Sequence, residues 1–101
     1  MLVEEQTTNA ALHEVDKKYY LPTFNRLPLA FKRGEGSKIW DVEGNEYLDA
    51  LAGIAVCNLG HCHPRVVKAI QDQAAELMHI SNFFVSEAQV KLSRKLVESS
   101  G

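Results

Sequence analysis

Two glycine-bearing turns cut the middle of this chain into pieces too short for helices. They are Gly34-Glu35-Gly36 and Glu43-Gly44-Asn45. Glycine reaches positive φ at little steric cost, so each turn can reverse the chain tightly. The flanking segments, Leu29 to Lys32, Lys38 to Val42 and Glu46 to Leu51, then read as three short strands of an antiparallel β-meander. A phosphate-loop reading of the first turn fails. Ile39 stands where a dinucleotide fingerprint needs its third glycine, and no helical pattern follows.

Helical patterns flank the strands. Leu12, Val15 and Tyr19 recur at three- and four-residue spacing and predict a helix from Asn9 to Tyr19. Tyr20-Leu21-Pro22 ends it, because the residue before a proline avoids the helical region. An extended connector follows between Pro22 and Pro28. Pro64 suits the first position of a second helix, with Val66, Val67, Ile70, Ala74, Leu77 and Met78 as its apolar face. Ser86 and Gln89 have the spacing of a capping box for a last helix, with Ala88, Leu92 and Leu96 facing inward. Residues 1–8 read as a polar, disordered tail. The expected class is α+β: an N-terminal helix, a three-stranded antiparallel meander, then two helices.

With 101 residues, 46% of them apolar, the chain has the length of one domain. The formal net charge is -2 with both signs interspersed, so no basic stripe points to nucleic acid and no basic amphipathic helix to a membrane surface. The longest apolar run, Ala50 to Cys57, is too short to span a bilayer. The start, MLVEEQTTNA, lacks the charged and apolar regions of a secretory signal, and Glu4 and Glu5 argue against a transit peptide. Two cysteines make no disulfide framework, and a reducing cytosol is the expected compartment.

The stretch GIAVCNLGHCHP, residues 53 to 64, concentrates the chemistry-bearing side chains. Cys57, His61, Cys62 and His63 are ligand types that zinc accepts, but their spacing is not that of paired ligands from two separated segments. Cys62 lies just ahead of a helix start, which would lower its pKa and favour a nucleophile. The third reading is a bend: Gly60 folds the chain back after a strand-like stretch, His61 and His63 bond local backbone, and Pro64 fixes the entry to the helix. It leaves the small size of Gly53 to Val56 to be explained, and suggests that something approaches that backbone closely.

Gly34, Gly36, Trp40, Asp41, Gly44, Tyr47, Asp49, Gly60, His61, His63, Pro64 and Gln73 stand in the order of a known pattern. Over about residues 18 to 98 the chain resembles the N-terminal segment of the class III aminotransferases. These are fold-type I enzymes that depend on pyridoxal phosphate. The stretches AGIAV, LGHCHP and HISNFF most resemble the members acting on N-acetylornithine. The implied parent reaction moves an amino group from N-acetylornithine to 2-oxoglutarate, in arginine biosynthesis, in a cytoplasmic homodimer. Succinylornithine and 4-aminobutyrate remain alternative donors.

The resemblance also bears on organisation and site. It implies that residues 9–52 form the helix, connector and meander, and that residues 53–101 begin the large cofactor-binding domain without completing it. Phe24, Gly53, Ile54, Ala55 and Val56 fall at substrate-pocket positions. Members acting on ornithine carry a tyrosine at the place of Phe24, whose hydroxyl helps hold a free α-amino group, and another at the place of Ile54. Both changes replace a polar tip with apolar surface, which fits an acylated donor. No catalytic, cofactor-binding or metal residue is nominated. The phosphate loop and the cofactor-bearing lysine of the family lie further on, so the chain alone is expected to be inactive and to bind no cofactor. Two competing readings are a stand-alone interaction module and a thiol or metal module built on Cys57, Cys62 and the histidines.

Overall fold

The computed structural model describes residues 8–101. The polar tail expected over residues 1–8 lies outside the described residues except for Thr8. The Thr8 hydroxyl accepts a hydrogen bond from the Ala11 amide at 3.2 Å, capping helix α1, Asn9–Tyr19. Lys17 and Lys18 lie in its last turn, where the helix dipole favours cations. Tyr20 is already extended, at ψ 137.

The chain divides into two units, Met1–Val66 and Val67–Gly101. In the first, strands β1 (Phe31–Glu35), β2 (Lys38–Asp41) and β3 (Glu46–Leu48) form an antiparallel sheet in the order β1-β2-β3. The meander is as expected, but its bounds are not. β1 starts at Phe31 and runs on through Gly34 and Glu35, so the reversal is the two residues Gly36 and Ser37, with Gly36 at φ 57. Phe31 pairs with Asp41 and Arg33 with Trp40, which makes Lys32 the extra residue of a bulge. β3 stops at Leu48 rather than Leu51. The Asp49 amide donates a last bond to the Ser37 carbonyl at 2.8 Å, and the chain then turns away under control of the Asp49 carboxylate.

The centre of this unit is polar. Asp41 is the one buried side chain among the described residues, and no apolar side chain there is buried. Its Oδ1 accepts from the amides of Glu43 (3.0 Å) and Asn45 (2.8 Å). Its Oδ2 accepts from the side chains of Asn9 (2.9 Å), Asn45 (3.0 Å) and Tyr47 (3.0 Å). Asn9 also accepts from the Ala30 amide at 2.8 Å, which ties the start of α1 to the chain entering β1. Phe31 and Tyr47 meet edge to face at 5.4 Å, and Arg33 lies 3.9 Å over the Trp40 ring.

Helix α3, Pro64–Glu76, leads into the second unit, and α4, Glu87–Ser100, completes it. (The short element α2 is described with the site below.) α3 ends at Glu76, so Leu77 and Met78 lie beyond the helix rather than on its face. The capping box is not formed. Ser86 caps α4 through its carbonyl, which accepts from the Val90 amide at 3.1 Å, while its side chain makes no cap bond. Glu87 sits in the first turn, where the dipole favours an anion. Leu92 and Leu96 are exposed rather than inward, as is Ala88.

Burial pushes the Asp41 carboxyl up, but the bonds from Asn45, Asn9 and Tyr47 outweigh it and hold the pKa well below the usual carboxylate range. A depressed folded-state pKa stabilises above the unfolded value of about 3.9 and is lost as pH falls through the folded value. The meander, followed by Trp40 fluorescence, is therefore expected to survive mild acid and to open only at strongly acidic pH. In Asp41→Asn an amide would face at least one donor that the carboxylate accepts. That variant is expected to melt at a lower temperature at neutral pH and to lose most of the acid dependence.

Candidate functional site

The residues expected to line a pocket adopt an unusual backbone. Ala52, Gly53, Ile54 and Ala55 have φ of 52, 67, 63 and 59, so α2, Ala52–Ala55, is a single left-handed turn rather than a strand-like stretch. The Leu51 carbonyl accepts from the Ile54 and Ala55 amides at 2.9 and 3.1 Å. The Ala52 carbonyl accepts from Val56 and Cys57, both at 2.9 Å. A left-handed L-residue costs roughly 1–2 kcal/mol, and Ile54, being β-branched, is the most strained of the four. Gly53 alone sits there freely.

One carboxylate holds the entry. Asp49 Oδ1 accepts from the amides of Leu51 and Ala52, each at 3.0 Å. Its Oδ2 lies 2.5 Å from His61 Nε2, with the two side chains 11% and 22% exposed. The bond to His61 is the largest cause that lowers the Asp49 pKa, followed by the Ala52 amide. Burial opposes them, and the Leu51 amide adds to the lowering. His61 is itself fixed: its amide donates to the Gly36 carbonyl at 2.8 Å, and its carbonyl accepts from the Gly36 amide at 3.0 Å. Its ring lies so close to β1 that a Cβ on Gly34 would come within 2.8 Å of His61 Cβ and Cγ.

The second histidine serves the next element. His63 Nδ1 accepts from the Arg65 amide at 3.2 Å, satisfying a donor in the first turn of α3. Gly60, at φ 86, passes so near Gly36 that a Cβ would lie 3.0 Å from its Cα. Cys57 is half-buried and Cys62 exposed, and both are free thiols. Among the described residues, no group of three or more His, Cys, Asp and Glu side chains could hold a metal.

The turn brings Gly53, Ile54 and Ala55 together with Val56 at its end, and leaves Ile54 81% and Val56 75% exposed. Phe24 stands apart on the connector, 79% exposed, just after a tight Thr23-to-Leu21 backbone bond of 2.7 Å. Asp49 and His61 are a hydrogen-bonded pair that sequence reasoning did not bring together. An aspartate two residues ahead of an accepted amide is a local turn signal that could have found Asp49. Nothing local announces His61 as its partner.

The sequence profile of Aminotransferase class-III matches residues 19–101. The chain belongs to this family. Acetylornithine aminotransferase of Caldanaerobacter subterraneus subsp. tengcongensis is 52% identical over 85 residues, covering 84% of this chain and 22% of the relative. Among solved structures, acetylornithine aminotransferase from Elizabethkingia anophelis matches with a TM-score of 0.85 at 31% identity, over 92% of this chain and 22% of its own. Ornithine aminotransferase from Plasmodium yoelii matches with a TM-score of 0.88 at 30% identity, over 93% and 25%. The chain thus spans about 22% of the length of the acetylornithine aminotransferases it matches. It has the fold of the N-terminal segment of these class III enzymes.

Two substitutions test this reading of the turn and its brace. Gly34→Ala pushes against His61 near its own backbone, where it cannot yield, and is expected to destabilise the first unit by about 1–3 kcal/mol. Ala55→Gly relieves roughly 1–2 kcal/mol of left-handed strain against an entropic cost of about 0.5–1 kcal/mol, and should stabilise the chain slightly. Urea unfolding of both variants beside the parent chain checks the opposite signs.

Proposed function

We propose that this chain is the N-terminal part of an acetylornithine aminotransferase, a cytoplasmic homodimer that moves an amino group from N-acetylornithine to 2-oxoglutarate. The observation that carries the reading is the 52% identity to a protein of that name over 84% of the chain. The apolar, exposed side chains of Phe24 and Ile54 support an acylated donor, since neither offers a polar group to a free α-amine. In this reading Gly53 to Val56 form one wall of the substrate pocket. The wall orients the apolar acyl end and leaves charge recognition to other residues. Among the described residues no helix is long and apolar enough to cross a membrane.

Pyridoxal phosphate would supply the electron sink in such a reaction. We infer that no lysine of this chain holds it. Every lysine is exposed, and Lys17, Lys38, Lys68 and Lys91 pair with Glu14, Glu46, Asp72 and Glu87 at the surface. We assign the cofactor to residues outside these 101, and residues 53–101 to the beginning of the domain that holds it.

Two measurements test the proposal. The chain alone, mixed with pyridoxal phosphate, N-acetylornithine and 2-oxoglutarate, is expected to give no glutamate and no saturable visible band. In a protein carrying this segment at full family length, N-acetylornithine should exceed ornithine and 4-aminobutyrate in kcat/KM. Phe24→Tyr there should raise kcat/KM for ornithine relative to N-acetylornithine by about tenfold, the worth of one hydrogen bond to a charged group. Equal use of both donors by the parent, unmoved by Phe24→Tyr, would refute the assignment.

A further inference from the structure

The hydrogen bonds inside the Ala52–Ala55 turn do not choose its hand. Bonds from Leu51 and Ala52 carbonyls to amides three to five residues on could close a right-handed turn as well, and sterics favour that hand for every residue but Gly53. Something outside the turn must select the left-handed form. The structure offers one such device. Asp49 fixes the direction of the entering amides of Leu51 and Ala52 with one oxygen, and holds His61 with the other. His61 in turn is fastened to Gly36 of the meander by both its backbone groups. A single carboxylate therefore joins the two ends of the segment that contains the turn, and the sheet sets their spacing.

We propose that Asp49 and His61 are positioning residues, a clasp that holds Ala52–Ala55 left-handed and so presents Ile54 and Val56 outward. The clasp stands on geometry. Its consequence for substrate rests on the reading of residues 53–56 as a pocket wall, so the test reads backbone conformation and not turnover. His61 acts through Nε2, and a glutamine can place an amide donor at the same position. His61→Gln should keep the clasp, while His61→Leu keeps bulk against Gly34 but removes the donor.

The test is nuclear magnetic resonance on the whole 101-residue chain and these two variants. Positive φ brings a residue's own amide and α protons close, giving a strong intraresidue cross-peak. The parent chain and His61→Gln are expected to show strong cross-peaks at Ala52, Ile54 and Ala55. His61→Leu is expected to lose them while cross-strand contacts between Trp40 and Glu46 persist. Strong cross-peaks in His61→Leu would overturn the proposal, because packing alone would then suffice. Their absence from the parent chain, or from a folded His61→Gln, would overturn it too. If His61→Leu also loses the sheet, His61→Gln decides by the same criterion. Loss of the sheet in both variants overturns the proposal, since His61 would then hold the sheet and not the turn.

Discussion

The Asp41 carboxylate is the contact on which the rest of the first unit depends. It is the single buried side chain among the described residues, and it accepts from Asn9, Glu43, Asn45 and Tyr47. Those partners belong to the helix start, the β2–β3 turn and β3. A buried carboxylate left short of donors would be costly, and a satisfied one rejects alternative arrangements. The bonds therefore set register as much as stability. With Trp40 opposite Glu46 and Lys38 opposite Leu48, Asp49 falls where its amide reaches Ser37. Gly36, in the neighbouring turn, is then free to pair with His61. The line of cause runs from Asp41 through strand register to the clasp, and from the clasp to the left-handed turn.

Apolar burial is sparse in the second unit as well. Leu92 and Leu96 on α4 are 60% and 61% exposed, and Ile70 on α3 is 64% exposed. Fully burying one such side chain is worth about 1.5–3 kcal/mol, against a total stability of about 5–15 kcal/mol for an ordinary domain. Large exposed apolar patches mark protein or membrane contacts, ligand grooves or aggregation-prone faces. They suit a chain that spans about 22% of the length of its relatives, in which further polypeptide is available to cover them.

Much of the architecture was legible from local chemistry. Pro22 and Pro64 marked where α1 stops and α3 starts, because proline acts on the backbone beside it. Gly36 and Gly44 marked the two reversals of the meander. The misreadings share a cause, which is that the deciding partner lies far along the chain. The Lys32 bulge moved β1 because Ala30 and Phe31 answer to Val42 and Asp41. Asn9 looked like one more helix residue, since its partners Ala30 and Asp41 are remote. Asp41 itself carried a readable signal, an aspartate three residues ahead of the turn glycine Gly44. At the site, the smallness of Gly53 to Val56 was visible, but the hand of their backbone was not. That hand depends on Asp49 meeting His61.

The composition of that turn bears on the proposed function. Glycine at all four positions would remove the strain, and only Gly53 takes that route. Retaining Ile54 at positive φ keeps an apolar side chain on a backbone that disfavours it, and the side chain is then left 81% exposed. Ile54 is neither buried nor unstrained. Strain of this sort persists only where the surrounding structure over-determines it, and it gathers at sites that bind ligands. Asp49, His61, Gly34 and Gly36 provide that over-determination here. On the proposed reading of residues 53–56 as a pocket wall, the outward face of Ile54 and Val56 is what this strained backbone presents.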